Sequence, residues 1–260
     1  MRRGSAAALA TTTIVLSALL PGCRTADDPA SSPSSQASTA RVIPTESPGR
    51  PTPTTSQPAP SSVLDAAQAR AALDRLTVVP RRPFVAGYQR SCSPGDACSF
   101  GPAWTDDNTN PDGHNGCDTR NDVLAEQLSQ ITYRRGSPCV VETGHLHDPY
   151  TGADLEFTKA RAQLAPVDHV VPLALAWDLG AARWTQQQRV DYANDTRLVL
   201  LVVDERSNET KSDSGPGEWM PPDRSYWCAY DERFVTVLQH YRLPVTAADK
   251  DAMRKVLDTC

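Results

Sequence analysis

Ala165-Pro166-Val167-Asp168-His169-Val170-Val171-Pro172 is the stretch that decides the fold. Its β-branched residues predict a strand over 165–171. Pro172 ends that strand and suits the start of a helix over 173–179. Thr185 with Gln188 forms a capping box for a second helix, over 186–193. The apolar run 198–203 predicts a second buried strand. Asp204 can cap a further helix carrying Asn208 and Lys211, which stand three apart and so share one face. Strand, helical excursion, strand, helix is a ββα arrangement.

The residues on this frame carry chemistry. Alternation along a strand puts Asp168 and His169 on opposite faces. Asp168 is a hard oxygen donor, suited to Mg²⁺ or Mn²⁺. His169 has the intrinsic pKa of a general base near neutral pH. Asn208 can give an amide oxygen to the same ion, and Lys211 can reach a phosphate oxygen. Asn194 stands just before the second strand, where its amide can brace the loop bearing the base. Hydrolysis of a phosphodiester needs an activated water, stabilisation of a charge-rich transition state and a neutralised leaving oxygen. Asp168, His169, Asn194, Asn208 and Lys211 together offer all three.

Asp168-His169-Val170-Val171-Pro172, Asn194 and Asn208-Glu209-Thr210-Lys211 resemble the pattern of the HNH (ββα-metal) nucleases. They are similar to the variants in CRISPR effector nucleases and in modification-dependent GmrSD-type proteins. Gly116-Cys117-Asp118-Thr119-Arg120-Asn121, Asp148-Pro149-Tyr150-Thr151-Gly152 and Glu218-Trp219-Met220-Pro221-Pro222 extend the likeness to secreted actinobacterial HNH-family proteins. The resemblance implies an endonuclease that uses one divalent metal on DNA, with RNA the second substrate, and leaves a 5′-phosphate. It implies Asp168 and Asn208 as metal ligands, His169 as base and Asn194 as the bracing residue. Many HNH proteins place a His where Asn208 stands, so Mg²⁺ or Mn²⁺ is expected rather than Zn²⁺. Glu209 stands where the family usually has Gly.

Other polar residues have two readings each. Arg120 can clamp a phosphate or pair with Asp122. His145 and His147 share one strand face and can line the substrate groove or, more remotely, hold a metal. Trp219 and Tyr226 suit a core better than a stacking platform.

The flanks place the chain outside the cytoplasm. Arg2 and Arg3 precede an apolar run over 6–20, too short for a comfortable membrane span, which reads as an export signal over 1–22. Leu20-Pro21-Gly22-Cys23 resembles a bacterial lipobox, which implies that Cys23 carries a lipid anchor and is the protein's sole tie to the membrane; the alternative is an ordinary secretory signal with an incidental Cys23 and a secreted chain. From Pro29 to Ser62, 22 of 34 residues are Pro, Ser or Thr, too few apolar groups to offset ordering, so 23–62 is expected to be a disordered tether. Residues 63–260 then make one domain with a real core. Their expected class is α+β: a ββα-metal core embedded in a mainly helical, disulfide-stabilised, monomeric domain.

Without Cys23, six of the seven cysteines remain, an even number that implies three disulfides in an exported chain. Six cysteines allow many pairings; proximity suggests Cys92–Cys98, Cys117–Cys139 and Cys228–Cys260. Five of the 26 basic and three of the 31 acidic residues precede residue 63, so the domain carries 21 against 28, a net −7. That balance argues against a tight, processive grip on duplex nucleic acid. It also keeps a second function class open, a non-catalytic envelope lipoprotein that binds through an HNH-like scaffold.

Elsewhere, helical spacing predicts helices over 63–76, 226–241 and 247–257, the last opened by Thr246. Asp118 is expected to open a helix whose apolar positions run through Val123, Leu124, Leu128 and Ile131 to Gly136. The stretches around Cys139-Val140-Val141 and His145-Leu146-His147 look like the two arms of a hairpin.

Overall fold

The structure, a computed structural model, describes residues 62–260. The expected signal, the anchor at Cys23 and the tether lie outside the described residues, apart from Ser62. Helix α1 (Ala66–Arg75) opens with a capping box, Asp65 accepting from the Gln68 amide and Gln68 reaching back. A two-residue strand β1 (Val78–Val79) follows. Irregular chain stapled by Cys92–Cys98 then leads to α2 (Thr119–Gln127), capped by Asp118.

After α2 come β2 (Ser129–Tyr133), β3 (Val141–His147) and β4 (Asp154–Thr158), an antiparallel sheet in the order β2-β3-β4. Two expectations change here. The helix stops at Gln127 because Leu128 turns extended, and Ile131-Thr132-Tyr133, β-branched and aromatic, pair with β3 instead. The expected hairpin arms are one strand, β3, and the hairpin closes through the turn after His147 onto β4. Cys117–Cys139 ties the start of α2 to the sheet.

The decisive stretch forms β5 (Val167–His169), then α3 (Leu173–Leu179) and α4 (Gln186–Ala193), with Thr185 and Gln188 as the capping box. Strand β6 (Leu200–Val202) returns antiparallel to β5, in the register Val167↔Val202, Asp168↔Leu201, His169↔Leu200. Gln127 of α2 caps the other edge of β6: its amide donates to the Leu200 carbonyl at 3.1 Å and accepts from the Val202 N–H at 2.8 Å. An isolated two-stranded ribbon is marginal in water, so this side-chain pairing and the α2 contact help fix it. Helix α5 (Glu205–Lys211) follows, capped by Asp204.

The chain ends with α6 (Trp227–His240), β7 (Val245–Thr246) and α7 (Ala247–Leu257). β7 pairs parallel with β1, and α1 packs on α6 and α7, so the start of the described chain meets its end. Cys228–Cys260 closes the last segment. One core runs through Val170, Leu175, Leu200, Tyr230 and Phe234, all buried. The molecule mixes helix and strand, carries three disulfides in the pairing suggested by proximity, and has no helix among the described residues long and apolar enough to cross a membrane.

Candidate active site

Strand β5 turns Asp168 and His169 to opposite sides, and each side meets different partners. On one, the Nε2 of His169 lies 3.0 Å from the Ala193 carbonyl at the end of α4. A carbonyl only accepts, so Nε2 carries the proton and Nδ1 keeps its lone pair. The ring is stacked on Trp104, with centroids 5.9 Å apart and planes 15° from parallel. Burial, then the nearby charges of Arg90 and Lys211, bring the His169 pKa down to about 3. The imidazole is therefore neutral at physiological pH and needs no deprotonation before it accepts a proton.

Asn194 caps the helix that presents this carbonyl. Its Nδ2 donates to the Val190 carbonyl at 2.9 Å, and its Oδ1 is buried without a partner among the described residues. It steadies the end of α4 and so the atom that orients His169.

On the other side, Asp168 is buried between Tyr150 and Lys211. The Tyr150 hydroxyl donates at 2.6 Å, and the Lys211 ammonium lies 2.9 and 3.0 Å from the two carboxylate oxygens. The same ammonium donates to the His169 carbonyl at 2.9 Å. Lys211 is 0% exposed, and burial lowers its pKa against the pull of Asp168. The expectation that it reaches a phosphate does not survive: a fully buried lysine held by three oxygens braces the strand. Removal of either partner would leave an uncompensated buried charge.

Asn208 on α5 lines a cavity of about 280 Å³ together with Asp168, His169 and Arg90. Asp168 and Asn208 are the lining residues that would hold a hard divalent ion. Tyr150 and Lys211 each donate one hydrogen bond to the Asp168 carboxylate, and the Lys211 ammonium also pairs with its other oxygen. Asn208, the other candidate, carries an amide. Among the described residues there is no cluster of three or more His, Cys, Asp or Glu that can hold a metal. Mg²⁺ and Mn²⁺ accept such sparse sites because water and substrate phosphate complete their shells.

The other sequence-predicted residues lie elsewhere. Arg120 donates to the carbonyls of Ala162 and Ala165 at 3.0 and 3.1 Å, and burial lowers its pKa. It pins the chain just before β5 with its guanidinium taken up by carbonyls, and it does not pair with Asp122, which accepts from Asn115 instead. His145 and His147 sit on β3 opposite their register partners, with Nδ1 2.6 Å from Glu156 and 2.8 Å from Asp154. They are solvent-facing cross-strand pairs and do not line the His169 cavity. Sequence reasoning missed Arg90, Trp104 and the Tyr150 hydroxyl. Only Tyr150 had a signal, its place in the Asp-Pro-Tyr-Thr-Gly turn.

A neutral histidine locked in one tautomer thus stands beside a carboxylate and an amide on a strand–strand–helix frame. Residues 118–256, more than half of the chain, match the model of GmrSD restriction endonucleases, C-terminal domain, and the chain belongs to that family. It is also 35% identical over 204 residues to a protein described as an uncharacterized secreted protein from Arthroderma benhamiae, covering 78% of this chain and 90% of that one. No solved structure matches.

Proposed function

We propose that this protein is an HNH-type, divalent-metal-dependent endonuclease acting on nucleic acid, DNA before RNA. What carries the reading is His169, held by Ala193 in the tautomer that leaves the Nδ1 lone pair free of a proton, in a cavity it shares with Asp168 and Asn208. The Nδ1 lone pair accepts a proton from the attacking water, a role that typically contributes about 10²–10⁴-fold. Asp168 and Asn208 would hold Mg²⁺ or Mn²⁺, which supplies charge stabilisation at the phosphate and the leaving oxygen. Tyr150 and Lys211 orient Asp168, and Asn194 orients the Ala193 carbonyl. Because Lys211 already offsets the Asp168 charge, metal affinity is weak until substrate phosphate joins the shell.

Export fits the rest: three disulfides point to an oxidising compartment, and the fungal-named relative is described as secreted. Attachment through Cys23 belongs to this reading as an expectation from the lipobox. The competing reading is a binding module on the same scaffold, favoured by the acidic balance of residues 63–260 and by the neutralised Asp168. The two separate in one experiment. The purified, disulfide-bonded full chain is incubated with plasmid DNA and with RNA, in EDTA, Mg²⁺, Mn²⁺ and Zn²⁺, beside His169→Ala. Metal-dependent cutting lost in the variant supports the nuclease; intact substrate under every metal sinks it.

A further inference from the structure

The segment 84–104 precedes the family match at 118–256, yet it supplies a wall of the candidate active site. Arg90 stands two residues before the Cys92–Cys98 staple. It lines the cavity of Asp168, His169 and Asn208, and also the small neighbouring one of about 30 Å³ where Trp104 covers the His169 ring. It is the cation lining the larger cavity among the described residues. Its guanidinium has no hydrogen-bond or ion-pair partner among the described residues. The other cations near the site are engaged: Lys211 on Asp168, Arg120 on carbonyls, and Arg82 on Asp178 and Asp213 at 2.7 and 3.0 Å.

Tyr88, Ala174 and Asp213 line both the larger cavity and a neighbouring one of about 420 Å³. Phe84 lines that second cavity with 90% of its surface exposed. A lone exposed aromatic is ordinary. One in a cavity that shares lining residues with that of a candidate general base, with the flanking carboxylates Asp178 and Asp213 already paired to Arg82, is placed for use.

We propose that 84–104 is a strand-binding wall for an unpaired stretch of nucleic acid, in which Arg90 holds the phosphate presented to His169 and Phe84 stacks on a neighbouring base. A duplex hides the base faces that an aromatic ring needs, whereas an unpaired strand offers them. The inference rests on the nuclease reading for the role of His169, but strand binding can be read without cleavage.

The test uses the full chain with His169→Ala, so that nothing is cut, in EDTA. Binding of a short fluorescein-labelled single-stranded oligonucleotide is followed by anisotropy over a range of salt. Arg90→Ala should lower the slope of log affinity against log salt by about 0.7, the share of one phosphate contact on a single strand. Phe84→Ala should weaken binding about tenfold without changing that slope. Arg135→Ala, exposed between β2 and β3, should do neither. With His169 restored, Arg90→Ala should lower kcat/KM and Arg90→Lys should recover part of it. If both wall variants bind like their parent and Arg90→Ala cuts like the natural chain, the wall is wrong while the nuclease stands. If the salt and stacking effects appear but no metal supports cutting, the wall stands and the nuclease falls.

Discussion

The Nε2 atom of His169 lies 3.0 Å from the carbonyl oxygen of Ala193, 24 positions along the chain. That contact makes the tautomer of the base a consequence of where helix α4 ends. His169→Ala should lower single-turnover cleavage by about 10²–10⁴-fold, with a circular dichroism melt confirming the fold. Nitrogen chemical shifts of the His169 ring should report the Nε2–H tautomer in the natural chain. An Nδ1–H tautomer would contradict the assigned geometry.

Lys211 should matter first for stability. Lys211→Met strands the Asp168 carboxylate in the core, at about 3–5 kcal/mol. Asp168→Asn with Lys211→Met removes both charges and should recover much of that loss, although it should not restore cleavage. Urea titrations of the two single variants and the double variant check this. If Lys211→Met unfolds at the same urea concentration as the natural chain, the buried pair has been misjudged.

Metal demand should track Asn208. Asn208→Ala removes one of the two proposed protein donors, so the Mn²⁺ concentration for half-maximal cleavage should rise severalfold while EDTA still abolishes activity. Calorimetry without nucleic acid should show weak Mn²⁺ binding in the natural chain. Tight binding without substrate would mean that Lys211 does not offset Asp168 as described.

Asp231 on α6 sets a pH dependence unrelated to the site. Its carboxyl is buried, both oxygens lack partners among the described residues, and burial, then the charge of Asp249, push its pKa up to about 7. The unfolded chain loses this proton near the ordinary value of 3.8, whereas the folded one keeps it to about 7. Stability should therefore fall as pH rises through that window and level off above it. Asp231→Asn should stabilise by a few kcal/mol at about pH 8 and by little at about pH 4. Melting curves at both pH values test it; an equal effect at both would refute the assignment.

What the sequence disclosed was mostly local. The helices after Pro172, Thr185 and Thr246 begin where their capping residues predict, because a cap is a contact between near neighbours. The helix from Asp118 was read too long because Leu128 and Ile131 continue the spacing of Val123 and Leu124 across a break made by pairing with β3. Functional roles failed for the same reason in reverse. Nothing in Asn-Glu-Thr-Lys says that Lys211 points inward, and Arg120 looks available until Ala162 and Ala165 surround it. Arg90 and Trp104 sit in irregular chain with no periodicity, so only the folded cavity brings them to His169.

Each disulfide joins a cysteine to the next one along the chain: Cys92 to Cys98, Cys117 to Cys139, Cys228 to Cys260. A chain that emerges amino end first into an oxidising space can close each bond as its second cysteine appears, with no wrong partner waiting. That order holds only if Cys23 is out of play. A free thiol there would meet Cys92 first and shift every later pairing by one. Lipid capping of Cys23, or its removal with the leader, would thus protect the oxidation sequence as well as set where the protein resides.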